Sequence, residues 1–325
     1  MSAHGLEAVV GNRHIIEFLR KNAAGGRAAH AYLFTGPPGI GKAFAARALA
    51  AFLLDTDRPE QHPDFHLVER SVDAKTGKPH AAILAEQIEE LVGQAARSAL
   101  LAGRQIFVID GADRLNPAAA NALLKTLEEP KGSTVIVLLA PSSGSVLPTI
   151  SSRCQPLEFR LVQSADIIAA LEKEGVPTGQ ATLFARLSGG RPGRALELAR
   201  DPAAFRALRE TRETALRFLE SGLTERFEAA GKLLPPKLAF ADAAEKGRGF
   251  FDLLAELLRD AFAAANGLDR NLIHADVAER LALIGRDKPG LAAVRSALEA
   301  YPKSRRLIDE NVGARTALER FASAF

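Results

Sequence analysis

The sequence predicts an α/β domain with a parallel sheet, followed by a region that is helical throughout. Three observations predict it. Up to about residue 160, strand-like and helix-like segments alternate. A glycine-rich loop, Gly36-Pro37-Pro38-Gly39-Ile40-Gly41-Lys42-Ala43, sits between a strand-like and a helix-like run. From about Ser164 onwards strand-like segments disappear.

The elements follow in order. Ala31–Thr35 is short, apolar and rich in aromatics, and reads as a buried strand. Phe44–Leu54 is rich in Ala and Leu and reads as a helix. Asp64–Glu69, Gln105–Asp110, Ser133–Ala140 and Gln155–Phe159 are the further strands, and Leu84–Ser98 and Pro117–Glu129 the further helices. The last helix is well marked: Asn116 suits its cap, Pro117 its first turn, and Pro130 stops it. Ser164–Glu174, Gln180–Leu187 and Gly193–Arg200 read as three short helices, separated by Gly175-Val176-Pro177 and Ser188-Gly189-Gly190-Arg191-Pro192. Beyond Asp201-Pro202 helical breaks are expected at Ser221-Gly222, Leu234-Pro235-Pro236, Asn266-Gly267 and Asp287-Lys288-Pro289-Gly290. The expected domains are therefore 1–160, 161–201 and 202–325.

The glycine loop carries the chemistry. The pattern G-x-x-x-x-G-K-[ST] wraps backbone amides around phosphates, its Lys reaches the β/γ-phosphates and its hydroxyl holds Mg²⁺. Gly36, Pro37, Pro38, Gly39, Ile40, Gly41 and Lys42 fit, but the last position is Ala43, which has no oxygen. The cradle survives and its metal grip is impaired. A second carboxylate is expected at the end of another strand, and Asp110 supplies it. Hydrolytic members of this class place a Glu next; here Gly111 follows, and Asp113 reads as a solvated turn residue.

Composition excludes several classes. The chain has 325 residues, 47% hydrophobic and 25% charged, and no apolar run approaches a membrane span. One cysteine, Cys154, rules out an internal disulfide and a Cys-based zinc site. The start, Met1-Ser2-Ala3-His4-Gly5, lacks a signal pattern, so a cytoplasmic protein is expected. A net charge of +3 is too balanced to announce a nucleic-acid binder, and the absence of Trp argues against a stacking platform for single strands.

A resemblance becomes specific further on. Gly111-Ala112-Asp113-Arg114-Leu115, then Asn121-Ala122-Leu123-Leu124-Lys125-Thr126-Leu127-Glu128-Glu129-Pro130, then Ser152-Arg153-Cys154 resemble the bacterial clamp loaders. These are AAA+ subunits of the DNA polymerase III holoenzyme that place the sliding clamp on primed DNA. His30-Ala31-Tyr32-Leu33-Phe34 is also similar, with weaker likeness in Ser188–Leu196 and Asn311–Glu319. The resemblance implies an AAA+ P-loop module, a three-helix lid and an all-α C-terminal collar that oligomerises. It implies a five-subunit ring with gamma/tau motors and a delta subunit, acting on clamp and primed DNA.

Within that family the chain is similar to the delta-prime type, a largely non-hydrolysing stator. Ala43 and Gly111 replace groups the motor uses, and Pro141 stands near the motor's sensor Thr. The motor also has an Arg about where Gly193 lies. ATP or ADP binding without efficient hydrolysis is expected, with Mg²⁺ weak or absent. The family's four-Cys zinc module is missing from the short Ala51–Asp64 segment, and His62 and His66 lack a third convincing ligand, so no metal is expected. Arg153 resembles a finger that completes a neighbour's ATP site in trans; the alternative is a structural Arg capping the last strand. The rival functions are a gamma/tau-like ATPase, another AAA+ DNA-remodelling ATPase, and a P-loop kinase or transferase.

Overall fold

The structure, a computed structural model, describes residues 4–72, 80–96, 99–130, 133–268, 272–286, 288–310 and 312–324. It divides into two compact units, Met1–Ala185 with Gly190–Leu196, and Arg186–Gly189 with Glu197–Phe325.

The first unit is built on five parallel strands: β1 (Ala31–Thr35), β2 (Phe65–Val68), β3 (Gln105–Asp110), β4 (Thr134–Ala140) and β5 (Gln155–Glu158), in the order β2-β3-β4-β1-β5. β1 and β4 are buried at every residue and β3 at all but its last. Such strands are covered on both faces, which is why they read as unbroken apolar runs rather than alternating ones. Helices α1 (His4–Glu7), α2 (Arg13–Ala24), α3 (Lys42–Leu54), α4 (Ala85–Ala95), α5 (Pro117–Glu128) and α6 (Pro148–Ser151) accompany the sheet. Leu33, Phe107, Ile109, Ile136 and Leu138 from the strands pack with Ile88, Leu91, Ala120 and Leu123 from α4 and α5. Asn116 caps α5 by accepting the Ala119 amide at 2.7 Å, with Pro117 in the first turn, as its sequence predicts. Three short helices follow: α7 (Ser164–Lys173), α8 (Thr178–Leu187) and α9 (Pro192–Arg200). This is the expected α/β architecture, and the parallel sheet carries its loops where a P-loop domain needs them.

Several boundaries differ from the sequence expectation. α1, α2 and α6 were not anticipated. Asp64 is not in β2: its buried carboxylate accepts the amides of Leu100, Leu101 and Ala102 at 2.6, 2.8 and 2.9 Å. Its carbonyl also accepts the Ile106 amide at 2.8 Å, so Asp64 adjoins the β2–β3 ladder while its side chain organises a turn. The expected end of the α4 segment, Ser98, lies outside the described residues, as do Asp287 and Asn311.

The second unit contains α10 (Pro202–Glu220), α11 (Leu223–Leu233), α12 (Phe240–Ala265), α13 (Ala278–Ile284), α14 (Lys288–Asp309) and α15 (Ala314–Ala322). Its core gathers Phe218, Phe250, Phe251, Leu254, Leu258 and Phe321. Phe251 and Phe321 meet edge to face at 5.4 Å, a favoured ring geometry. Arg226 is buried and donates to the Phe218 and Leu219 carbonyls, satisfying acceptors at the end of α10. α13 ends at Ile284, so a helix break does fall just before Lys288-Pro289-Gly290, which itself forms the first turn of α14, where a proline costs no hydrogen bond. Among the described residues no helix is long and apolar enough to cross a membrane.

Candidate functional site

The C-terminal ends of β1, β3 and β4 carry the candidate site. β1 runs out at Thr35 into the loop Gly36–Gly41, and α3 begins directly at Lys42, two residues earlier than its apolar pattern suggests. Gly41 makes that early start possible. It stands before the helix at φ 102°, a left-handed conformation that side chains resist, and a Cβ there would meet open space. The first amides of α3, like those of any helix, have no partner within it, the arrangement that favours an anion.

Lys42 folds back over this loop. Its Nζ donates to the Gly36 carbonyl and, at 3.1 Å, to the Pro37 carbonyl. Burial lowers its pKa, while the charges of Asp110 and Asp113 act in the opposite sense. Lys42 thus feels Asp110, the expected strand-end carboxylate, and also Asp113, which the sequence places in a solvated turn. Asp110 ends β3 and is exposed; Gly111 follows at φ 102°. The Gly36 amide donates to the Pro141 carbonyl at 3.2 Å, which ties the loop to the end of β4.

The residues present fit a polyphosphate: a glycine loop, a helix N-terminus and an ammonium converge. They fit Mg²⁺ poorly. Ala43 presents a methyl group where a ligating oxygen would stand, which leaves Asp110 alone. Among the described residues no cluster of three His, Cys, Asp or Glu could hold a metal. His62 accepts the Asp64 amide through Nδ1 at 3.1 Å, and His66 stacks on Phe107 with ring centroids 4.6 Å apart.

Arg153 lies elsewhere. It sits between α6 and β5, where its guanidinium donates to the Thr149 carbonyl at 2.9 Å and pairs with Glu128 at 2.6 Å. Tyr32 of β1 is level with Gln155 of β5, and Phe159 donates its amide to the Thr35 carbonyl. Arg153 thus stands at the N-terminal end of the sheet and the phosphate loop at the C-terminal end. Four residues of strand separate the two levels, about 13 Å. Arg153 does not belong to the loop of its own chain. The Glu128 partner is not visible in the sequence, since β4 and α6 lie between the two residues. Cys154 beside it is buried, and burial pushes its thiol up to about 12, so it is no nucleophile at neutral pH.

The match to known proteins falls on this unit. The family model described as DNA polymerase III, delta subunit, matches residues 11–163, which run from the turn before α2 to the end of the sheet. Those residues, a little under half of the chain, are what is similar to that family. The delta-prime subunit of DNA polymerase III from Pseudomonas aeruginosa is 38% identical over 191 residues, covering 52% of this chain and 56% of the relative. The gamma/tau subunit from Mycobacterium tuberculosis H37Rv is 32% identical over 57% of this chain and 34% of its own length. The chain thus spans little more than half of the delta-prime relative. A solved gamma subunit-related protein from Thermotoga maritima aligns over 94% of this chain and 97% of its own, with a TM-score of 0.51 and 17% identity. That likeness concerns the fold alone.

Proposed function

We propose that this chain is a delta-prime-type clamp-loader subunit that binds ATP or ADP without turning it over efficiently and supplies Arg153 to a neighbouring motor site. One observation carries the reading. The phosphate loop keeps its cradle and its Lys42, yet position 43 offers a methyl group and position 111 no side chain at all. Binding and hydrolysis draw on different residues, and only the second set is missing. The cytoplasm is the proposed compartment.

In this reading the loop amides and Lys42 hold the nucleotide's phosphates, a charge that the start of α3 stabilises. Asp110 offsets the Lys42 charge when the loop is empty. No residue next to Asp110 takes a proton from water. Arg153 serves in trans, where a guanidinium can neutralise charge developing on a transferred phosphoryl group. Residues 161–201 form the lid and 202–325 the oligomerising collar, with gamma/tau motors and a delta subunit as the ring partners. Clamp and primed DNA are engaged through the assembled ring.

The test is ATP turnover by the purified chain alone and with gamma/tau and delta subunits. The expected result is negligible turnover alone and robust, DNA-stimulated turnover in the complex. Steady turnover by the isolated chain that Lys42→Ala abolishes would instead make it a motor of the gamma/tau type.

A further inference from the structure

We propose that a contact between two glycines latches α9 onto the phosphate loop, so that this segment holds its position whether or not a nucleotide is bound. The nucleotide-bound half of that statement rests on the function proposed above; the ligand-free half does not.

The Gly193 amide donates to the Gly39 carbonyl at 2.8 Å. Gly193 is the second residue of α9, so its N–H is one of those a helix leaves without an internal partner. Pro192 before it brings no N–H. The phosphate loop therefore provides the missing acceptor. The approach is backbone to backbone: a Cβ on Gly193 would lie 2.8 Å from the Gly39 oxygen, 3.4 Å from its carbonyl carbon and 3.5 Å from its Cα. None of these atoms is the yielding end of a side chain. On the other side Gly39 stands at φ 76°, and a Cβ there would meet the Arg194 amide nitrogen at 3.4 Å. Both positions tolerate glycine and little else.

The same segment is tied a second time. The Val162 amide donates to the Gly190 carbonyl at 2.8 Å, just beyond β5. Residues 190–193 are therefore fixed at both ends, to the sheet exit and to the loop. The loop itself needs no phosphate to stay shaped. Its Gly36 and Pro37 carbonyls accept from Lys42 and its Gly39 carbonyl from Gly193. A nucleotide arriving here has little left to order, and a lid already in place has little to report to a neighbour.

Hydrogen exchange on the full chain tests this, read over residues 190–196, which carry the donating amide, with and without millimolar ADP. Wild type is expected to be protected in that segment without ligand, with ADP changing the protection less than about twofold. Gly193→Ala must displace Gly39, and should lose about tenfold in ligand-free protection, the scale of one hydrogen bond. Gly179→Ala, where a Cβ meets open space, should behave as wild type. A wild-type 190–196 segment that becomes protected only on adding ADP would overturn the latch, as would a Gly193→Ala chain as protected as wild type. Should Gly193→Ala fail to fold, the wild-type comparison still decides. Calorimetry with ADP stands apart: no heat would end the nucleotide reading and leave the ligand-free comparison intact.

Discussion

Replacing Arg153 by alanine removes a guanidinium that its own domain holds at the surface. The pair with Glu128 is 2.6 Å long, but the two side chains remain 35% and 49% exposed. Such pairs contribute about 0–1 kcal/mol. The Thr149 carbonyl loses a donor, yet Thr149 is exposed and water can replace it. The whole change should cost about 1 kcal/mol, or about 2–4 °C in Tm for a domain of this size. The functional effect should be far larger. A finger is worth about 10³–10⁵ in rate at the site it completes, or about 4–7 kcal/mol. The neighbours' other sites keep their own fingers, so turnover by the ring should fall in part and not vanish. Arg153→Lys sharpens the contrast. It restores a charge beside Glu128, and so most of the small stability loss. It cannot restore a planar two-point contact, and so little of the turnover. The assay is DNA- and clamp-stimulated ATP turnover by reconstituted rings, with assembly checked by gel filtration and stability by thermal melting. Wild-type turnover from a fully assembled Arg153→Ala ring would refute the trans role. A loss of several degrees beyond the expected shift would refute the surface-pair argument instead, and return Arg153 to the structure of β5.

Two further outcomes are expected. Lys42→Ala should weaken ADP binding at least about tenfold in calorimetry while leaving the fold intact, since its partners are loop carbonyls that water can reach; unchanged affinity would mean the loop binds nothing through its lysine. Asp64→Ala should destabilise the first unit by about 3 kcal/mol near neutral pH, because three amides lose a charged acceptor. Burial raises the Asp64 pKa, but the three amides and His62 outweigh it and hold the carboxyl below its ordinary value. Its contribution is thus complete above the unfolded-state pKa of about 3.9 and fades as pH falls through the lower folded value. Urea titrations should therefore show wild type and variant converging in acid, and an equal gap at pH 7 and at low pH would contradict this assignment.

What the sequence made legible is what lies contiguous in it. β1, β3 and β4 are buried on both faces, so their apolar runs need no partner to be read, and the phosphate loop spells its own turn and its own lysine. Boundaries slipped where one residue's backbone decides them. α3 starts at Lys42 because Gly41 turns the chain at positive φ, not because an apolar stripe begins there. α2 could have been found, since Ile15, Ile16, Leu19 and Ala23 are buried at helical spacing. α6, at four residues, carries no periodic signal. Pro289-Gly290 reads as a break by local chemistry, yet the first turn of a helix accepts it, and Pro302 lies inside the same helix.

The polar contacts of the first unit that the sequence hides are the non-local ones. Asp64 meets its amides 36 to 38 residues on, Arg153 reaches back to Glu128, and Gly193 rests on Gly39. Each is a polar contact whose partner sits on another element, so no window of sequence could reveal it. These contacts also separate two properties that the loop motif alone would merge. The residues that would cradle phosphate are held by backbone and by Lys42, while those that would hydrolyse it are absent at positions 43 and 111. A loop kept in shape without its ligand, and a guanidinium placed at the far end of the same sheet, are consistent demands on one protein. Under the proposed function, the first favours a fixed body, and the second requires that body to stand beside another chain's nucleotide.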